Sequence, residues 1–306
     1  MYDILIAGAG PAGLAAGIYA ARAGMNALVL ERLFAGGQIA TATVLENYPA
    51  LGPTNGADFA MKLLEHSESL GVKVEYDDIT SYELKGDVKR AVGSAATYEA
   101  KSIILAMGAK SRTLGVQREQ QMAGRGLSYC ATCDGALYRG KDMVVVGGGD
   151  TALEESIYLS NLASKVSIVH RRDTFRGQAA LQKRLLADEK ITPYYDCVIS
   201  ALNGDTAMES VELTNVKTGE KTVVPTSVLF VAVGRLPDTM GIHDDEILND
   251  ERYILTDQDM RTAIPGVFAA GDVREKYLRQ VVTAMADGAI AASRAAEYVL
   301  NQCPVG

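Results

Sequence analysis

Short runs of consecutive apolar residues recur along the chain, and a glycine follows each of them closely. Three of these runs are Ile4–Ala7, Ile103–Ala106 and Met143–Val146. Uninterrupted apolar runs of this length are typical of strands that are buried on both faces of a parallel sheet. Segments with helical spacing, such as the amphipathic stretch 56–70, lie between the runs. The pattern therefore predicts an α/β protein.

The first apolar run opens a βαβ unit. A helical segment, Ala15–Ala23, and a strand, Ala27–Leu30, follow it, and the strand ends in Glu31. The turn before the helix reads G-x-G-x-x-G, whose glycines allow the backbone to approach a pyrophosphate at the helix N-terminus. Alone, this motif could be an ordinary Gly-rich turn, but here strand, helix, strand and acid occur in order. We predict a dinucleotide site in which Glu31 binds the adenosine ribose and the loop residues are Gly8, Gly10, Pro11, Ala12 and Gly13.

The same unit occurs a second time, after Met143–Val146. Its second strand, Val166–Val169, ends at His170, which follows the first glycine of its loop by as many residues as Glu31 does in the first unit. The chain therefore carries two nucleotide-binding units. The candidate residues of the second are Gly147, Gly149, Asp150, Thr151, Glu154 and His170.

The two units differ at the position that selects the ligand. Where the first has an acid, the second has His170-Arg171-Arg172, with Arg176 close behind. An arginine cluster suits a 2′-phosphate, whereas a carboxylate suits a free 2′-hydroxyl. We therefore predict that the second site prefers NADPH over NADH. The alternative is that these arginines only solvate the end of a strand.

The last third of the chain supplies a further buried strand, 266–270, which ends in Gly271-Asp272. A long Ala-rich helix then runs to residue 300. Its N-terminus could stabilise an anionic reduced ring, and Asp272 could hold a polyol chain, although a helix packed only for stability is equally consistent with the pattern. The candidate residues here are Arg279, Gln280 and Val281, which open this helix. Two earlier polar or Gly-rich loops, which hold Gly37, Gln38 and Asn47, could by themselves be plain connections.

This order of segments predicts two Rossmann-like dinucleotide-binding domains, each a three-layer ββα sandwich, with the second inserted into the first. We expect residues 1–112 and 244–306 to form the first domain and residues 113–243 the second. Residues 72–99 are expected to form antiparallel strands, and the polar, Gly-spaced stretch 113–127 is expected to be a linker.

The composition and net charge of the chain argue against several classes of function. The net charge of the 306-residue chain is −8, which disfavours binding to nucleic acid or to an anionic membrane. Four cysteines in so long a chain do not make a secreted disulfide framework, so we expect a reducing, cytoplasmic location. Asp3 and Arg22 argue against a signal peptide or membrane span near the N-terminus.

Cys130-Ala131-Thr132-Cys133-Asp134 is the chain's candidate for covalent chemistry. Cysteines at this spacing can close a disulfide, and a thiol at a helix start has a lowered pKa. A structural zinc site is the first alternative, but it needs four ligands. The other cysteines, Cys197 and Cys303, are isolated and the histidines are scattered. We therefore predict a dithiol/disulfide couple and no metal.

With these motifs the chain resembles the low-molecular-weight, bacterial-type thioredoxin reductases over essentially its whole length. The most specific match is Cys-Ala-Thr-Cys-Asp-Gly placed before Gly-Gly-Gly-Asp-Thr-Ala. The resemblance implies FAD at the first unit, NADPH at the second, thioredoxin as the protein substrate, and a cytosolic homodimer. It also implies that Glu31, Gln38, Asn47, Asp272 and Gln280 lie near FAD.

The resemblance further implies catalytic roles for three residues. Cys130 would attack the thioredoxin disulfide, Cys133 would face the flavin, and Asp134 would protonate the departing thiolate; a carboxyl beside a thiolate should have a raised pKa. Hydride would pass from NADPH to FAD, and electrons then to the disulfide and to thioredoxin. The second domain would rotate between these steps, with hinges near residues 110–118 and 240–246.

Small departures from the family pattern occur at residues 234–238 and at Gly177-Gln178, away from the cysteines and arginines. Three rival functions remain to be weighed: a dithiol oxidase of the same fold, a reductase fed by ferredoxin, and a redox sensor without turnover. The complete second unit with its arginines disfavours the first two, and two full nucleotide sites disfavour the sensor.

Overall fold

The computed structural model describes residues 1–42, 45 and 47–302, except the side chain of residue 41. Cys303, for which no role is expected, lies outside the described residues. The chain divides into two compact units. The first comprises Met1–Lys110 together with the chain from Leu236 onward, and the second comprises Ser111–Arg235.

The helices of the described chain include long ones that flank the sheets and short ones in loops. They are α1 (Pro11–Arg22), α2 (Gly56–Ser69), α3 (Glu119–Met122), α4 (Ala131–Asp134), α5 (Asp150–Ser160), α6 (Ala179–Leu186) and α7 (Val281–Gln302), with short 3-10 helices at Gly37–Thr41, Gly135–Tyr138, Asp245–Ile247 and Gly271–Val273. None of the helices in this part of the chain is both long enough and apolar enough to cross a membrane.

The strands follow the apolar runs but extend beyond several of them. They are β1 (Tyr2–Ala7), β2 (Ala27–Glu31), β3 (Lys73–Tyr76), β4 (Ile79–Glu83), β5 (Lys89–Gly93), β6 (Thr97–Leu105), β7 (Ala109–Ser111), β8 (Leu127–Ser128), β9 (Asp142–Gly147), β10 (Lys165–Val169), β11 (Ile191–Tyr194), β12 (Cys197–Asn203), β13 (Ser210–Asn215), β14 (Lys221–Pro225), β15 (Val228–Ala232), β16 (Arg235–Pro237) and β17 (Val267–Ala269).

The first unit is built on a parallel sheet centred on β1, with strand order β3-β2-β1-β6 and with β17 also beside β6. Alternate residues of β1 point to opposite faces of the sheet. Ile4 and Ile6 pack towards α1 and α7, whereas Leu5 packs on the other face with buried residues of β4 and β5. Burial on both faces explains why these strands read as unbroken apolar runs.

One pairing expected in this unit is wrong. β4 and β5 are antiparallel, as predicted, but β3 instead pairs in parallel with β2, with Val74 opposite Val29. The reason is that α2 precedes β3, so the chain reaches β3 by a helical crossover, which brings the strand back in the same direction.

The second unit repeats the three-layer arrangement. Its parallel sheet has the order β11-β10-β9-β15-β8. Buried residues of α5 and α6 pack on one face of this sheet, and the antiparallel sheet β12-β13-β14 packs on the other. The predicted α/β class, with two Rossmann-like folds each layered ββα, is confirmed.

The stretch 113–127 is not a plain linker, because part of it is folded onto the second unit. The buried carboxylate of Glu119 accepts hydrogen bonds from the amides of Leu114 and Gly115, each at 2.8 Å, and from the hydroxyl of Tyr129 at 2.9 Å. Met122 is buried as well. A buried acid satisfied by backbone amides leaves no apolar signature in the sequence, so the stretch reads as polar.

The first unit depends on a close approach of α7 to α1. A side chain at Gly288 of α7 would place its Cβ 2.1 Å from the carbonyl oxygen of Ala12. We expect Gly288→Ala to lower the free energy of unfolding by about 1–3 kcal/mol, because a methyl group there overpacks the contact. Ser293→Ala, an exposed position on the same helix, is the control. Equal stability of the two variants in denaturant titrations would contradict this packing.

Candidate functional site

The first Gly-rich loop is tight where it meets the sheet. Gly8 has φ +103°, and a Cβ on it would lie 2.5 Å from the carbonyl oxygen of Ala106. A Cβ on Gly13 would lie 1.7 Å from the carbonyl oxygen of Gly8. Both positions therefore require glycine, and the requirement brings the start of α1 directly against the end of β1.

The same loop is open on its other side. Gly10 is the N-cap of α1 and Pro11 its first residue, and no side chain of the described chain caps this helix end. A Cβ on Gly10 would meet only the Cα of Gly37, at 4.0 Å. Uncapped helix N-terminal amides beside an open glycine suit a pyrophosphate, so the loop fits the phosphates of a dinucleotide.

Glu31 lies at the end of β2 beside this loop. One of its carboxylate oxygens accepts a hydrogen bond from the amide of Ala9 at 2.9 Å, and the other accepts from the amides of Arg32 and Leu33 at 2.8 and 3.1 Å. These bonds fix the carboxylate next to the loop that the sequence predicts it to serve. A carboxylate so held retains acceptor capacity for a ribose hydroxyl.

Several predicted residues contact distant parts of the chain within the first unit. The side-chain amide of Asn47 donates to Gln280 at 2.9 Å, and that of Gln38 donates to the carbonyl of Ala109. The guanidinium of Arg279 lies 4.5 Å from the centre of the Tyr253 ring. The helix α7 begins at Val281, two residues after Arg279, where the sequence analysis places its opening.

Gly271-Asp272 is held in place by a cluster that the sequence analysis missed. The carboxylate of Asp287, on α7, accepts from the amide of Gly271 at 3.0 Å and from the ammonium of Lys276 at 2.6 Å. The guanidinium of Arg274 lies 3.6 Å from the same oxygen. An acid on the buried side of an Ala-rich helix is the signal that could have revealed this cluster.

The second Gly-rich loop uses its glycines differently. A Cβ on Gly148 would lie 2.1 Å from Nδ1 of His170, so the absence of a side chain lets the imidazole lie against the loop. Gly149, the N-cap of α5, has no atom within 4 Å of its Cβ position and no side-chain cap. Burial and the neighbouring Arg176 lower the pKa of His170, so its ring is neutral near pH 7.

The arginine segment after β10 is anchored to this loop while its side chains are exposed. The amide of Arg176 donates to the carbonyl of Gly148 at 2.7 Å, and the carboxylate of Asp150 accepts from the amide of Gln178 at 2.6 Å. Arg171, Arg172 and Arg176 are exposed. Within the described chain they form no ion pair with a carboxylate, so an anionic group could bind them without first displacing an acid.

Thr151 and Glu154 lie on the exposed side of α5, in its first turn and just beyond it. They flank the open N-terminus at Gly149. Of the predicted residues, His170 and the backbone of Arg176 contact this loop, and Asp150 directly follows it.

Cys130 and Cys133 form a disulfide, with their Cα atoms 5.3 Å apart. Cys130 is the N-cap of α4, and its carbonyl accepts from the amides of Cys133 and Asp134 at 3.2 and 3.1 Å. Both cysteines are partly exposed. The turn is therefore a redox couple that a protein partner can reach.

Asp134 contacts the same turn through Ser128, a residue the sequence analysis missed. The hydroxyl of Ser128 donates to the Asp134 carboxylate at 2.6 Å and accepts from the amide of Cys130 at 3.1 Å. Burial raises the pKa of Asp134, and the Ser128 hydrogen bond opposes part of that rise. The direction agrees with the prediction, and in the disulfide state its cause is burial rather than a neighbouring thiolate.

A second carboxyl, Glu155 of α5, also contacts the redox turn. Burial raises the pKa of Glu155 to about 7, and the backbone of Ala131 and the charge of Arg235 oppose part of that rise. The sequence analysis singled out only its neighbour Glu154. The sequence does not show which member of the Glu154–Glu155 pair faces the turn. The packing of the turn on α5 shows that it is Glu155.

The chain matches known proteins over nearly its full length. The family model described as pyridine nucleotide-disulphide oxidoreductase matches residues 2–288. A thioredoxin reductase from Listeria innocua is 42% identical over 300 residues, which are 98% of this chain and 94% of that protein.

Solved structures agree with the sequence comparisons. The thioredoxin reductase of Streptococcus pyogenes has a TM-score of 0.93 at 45% identity, over 98% of this chain and 99% of that one. The thioredoxin reductase of Lactococcus lactis in its FR conformation has a TM-score of 0.69 at 42% identity, over 98% of this chain and all of that one (100%).

Proposed function

The chain belongs to the pyridine nucleotide-disulphide oxidoreductase family, and we propose that it is an NADPH-dependent, flavin-containing thioredoxin-disulfide reductase. The observation that carries the proposal is the Cys130–Cys133 disulfide, which precedes the second nucleotide loop in the same unit. The names of its relatives supply the substrate, thioredoxin.

Each of the two units has one open loop, and each loop would bind one cofactor. We propose that the loop at Gly10, with Glu31, holds FAD, and that the loop at Gly149, with the arginines, holds NADPH. Bound there, the flavin supplies two-electron transfer between the nicotinamide and the disulfide. The fixed Glu31 carboxylate supports a free ribose hydroxyl in the first site, and the exposed arginines support a 2′-phosphate in the second.

We propose that thioredoxin reduction then uses three side chains, in the roles that the family resemblance implies. The thiolate of Cys130 attacks the thioredoxin disulfide, forms a mixed disulfide and releases a thioredoxin thiolate. Asp134 gives its proton to that thiolate, a role its raised pKa suits. The thiolate of Cys133 then attacks Cys130, which restores the internal disulfide and releases reduced thioredoxin.

The rotation of the second unit is part of this proposal. The same unit carries the cysteines and the NADPH loop, and both must approach one flavin in turn. The chain passes between the units at 110–111 and at 235–236, and we propose that it bends near these points. Two relatives of nearly equal identity and coverage differ widely in TM-score, which supports two arrangements within the family.

We further propose that the protein is a homodimer in the cytoplasm. The family resemblance supports the dimer, and the few cysteines support a reducing compartment. Sedimentation equilibrium should give twice the chain mass of 32.6 kDa. A mass equal to one chain at micromolar concentration would contradict the dimer.

The order of attack predicts an asymmetry between the cysteines. We expect reduced Cys133→Ser protein to form a stable covalent complex with oxidised thioredoxin, because nothing resolves the mixed disulfide. Cys130→Ser should form no such complex at a comparable rate. Non-reducing gels and intact mass measure both. Equal trapping by the two variants would show that Cys130 is not the interchange thiol.

The arginine cluster predicts the nucleotide preference. The double variant Arg171→Ala/Arg172→Ala should raise the KM for NADPH about tenfold to a hundredfold, because the two exposed, solvent-screened arginines together contribute about 1.5–3 kcal/mol through charge-assisted bonds. The KM for NADH should change little. Arg184→Ala, an exposed arginine on α6, is the control for loss of charge. An unchanged preference in the double variant would refute the assignment.

Rotation predicts that tethering the units stops turnover. An engineered disulfide between the units should abolish thioredoxin reduction, while FAD stays bound and reductant restores activity. The same two cysteines kept reduced serve as the control. Full turnover with the tether closed would contradict rotation.

A further inference from the structure

Ser128 lies at the end of β8, shortly before Cys130 in the chain. The strand pairs in parallel with β15, where Ser128 is opposite Phe230. Only 6% of the Ser128 surface is exposed. The next residue, Tyr129, is held as well, because its hydroxyl donates to the buried carboxylate of Glu119 at 2.9 Å. The position of Ser128 is therefore fixed before the redox turn begins.

The hydroxyl of Ser128 connects the acid of the redox turn to the backbone of the interchange cysteine. It donates to Oδ2 of Asp134 at 2.6 Å and accepts from the amide of Cys130 at 3.1 Å. The carbonyl oxygen of Cys130 lies 3.4 Å from the same hydroxyl oxygen. These bonds use the backbone of Cys130 and not its sulfur, so none of them is lost directly when the S–S bond breaks.

This hydroxyl can hold the Asp134 carboxyl in both of its protonation states. A serine hydroxyl has one proton to donate and two lone pairs that accept. When Asp134 is ionised, the hydroxyl donates to it. When Asp134 is protonated, the acid can donate to the hydroxyl oxygen, and the hydroxyl proton can turn to the carbonyl of Cys130. The second lone pair accepts from the Cys130 amide in either case.

We propose that Ser128 is a positioning residue of thioredoxin reduction, which holds Asp134 at the redox turn both before and after this acid gives up its proton. The inference rests on the proposed function. In that reaction the S–S bond of thioredoxin breaks as Cys130 bonds to one of its sulfurs. The other sulfur leaves with the electron pair and takes the proton of Asp134. An acid that releases and regains a proton in every turnover must keep its place in both states.

The charges around Asp134 determine what loss of the hydroxyl should do. Burial raises the pKa of Asp134, and the Ser128 hydrogen bond opposes part of that rise. Tyr138, in the 3-10 helix after the turn, faces this acid, since burial and the Asp134 charge raise the pKa of its phenol. Glu155 of α5, whose pKa burial raises and the charge of Arg235 in part lowers, is a second acid at the turn. Because the hydroxyl favours the ionised form, its removal should raise the pKa of Asp134 further.

The first measurement follows the protonation of Asp134 itself. Holoenzyme in the disulfide state, with aspartate labelled by carbon-13 at Cγ, is titrated by NMR, and the loss of one resonance in Asp134→Asn assigns the signal. We expect the pKa of Asp134 to be about one unit higher in Ser128→Ala than in the wild type, because one unit corresponds to a hydrogen bond to a charged group. Ser128→Thr keeps the hydroxyl and should restore the wild-type value.

The second measurement is the pH profile of thioredoxin reduction. Only the protonated acid can deliver its proton, so the rate should fall as pH rises through the pKa of Asp134. In Ser128→Ala this descending limb should move to higher pH by the same shift. At a pH below the limb, kcat should be about tenfold lower, because the carboxyl is no longer held in place. The KM for NADPH should not change.

Ser156→Ala is the matched control, since it removes another buried hydroxyl from the same unit, one that donates to the carbonyl of Ala152 at 2.7 Å. It should follow the wild type in both measurements. An unchanged titration of Asp134 in Ser128→Ala would overturn the proposal. A lower rate without a shift of the pH profile would overturn it too, because a merely structural role gives that result. If Ser128→Ala does not fold, Ser128→Val compared with Ser128→Thr, two side chains of equal shape, decides the same question.

The two measurements separate a failure of this inference from a failure of the proposed function. The titration of Asp134 requires neither NADPH nor thioredoxin. A wild-type protein that fails to reduce thioredoxin would refute the function, and with it a role of Ser128 in that reaction, whatever the titration shows. An active protein whose Ser128→Ala variant titrates and turns over as the wild type does would refute only the inference.

Discussion

The chemistry of the second unit depends on one helix, α5. Its N-terminus, at Gly149, is the open end of the nucleotide loop, and its side supports the redox turn through Ala131 and Gly135. Small residues at these points allow the turn to lie directly on the helix. Because the close-packed contact between the redox turn and α5 resists deformation, the cysteines and the nucleotide loop must move together. This constraint is the physical reason for proposing that the whole unit rotates rather than that the loops shift.

Electrostatics distinguishes two sites that share one backbone design. Both loops present uncapped helix amides beside an open glycine, which suits phosphate in either case. At the end of the second strand one unit has Glu31, held by three backbone amides, and the other has exposed arginines that form no ion pair within the described chain. We therefore propose that the same fold selects different dinucleotides by the charge of a few residues.

Much of this architecture could be predicted from the sequence, for reasons that are local. Buried parallel strands give apolar runs, and the close approaches at Gly8 and Gly148 leave glycines that nothing else can replace. Contacts between distant segments leave no such trace: Asn47 meets Gln280, and Asp287 holds Gly271. Glu155 reads as a surface acid of an amphipathic helix. The turn packed upon α5 leaves it only partly exposed, and the sequence pattern alone does not contain that packing.

The central claim is that electrons pass from NADPH to thioredoxin through the Cys130–Cys133 pair. An anaerobic titration of the flavin-loaded protein, first with NADPH and separately with NADH, followed by oxidised thioredoxin, tests it most directly. The account predicts that NADPH bleaches the flavin at far lower concentration than NADH. Oxidised thioredoxin should restore the colour in the wild type but not in Cys130→Ser. Bleaching by neither nucleotide would contradict the account and turn attention to ferredoxin or oxygen as the redox partner.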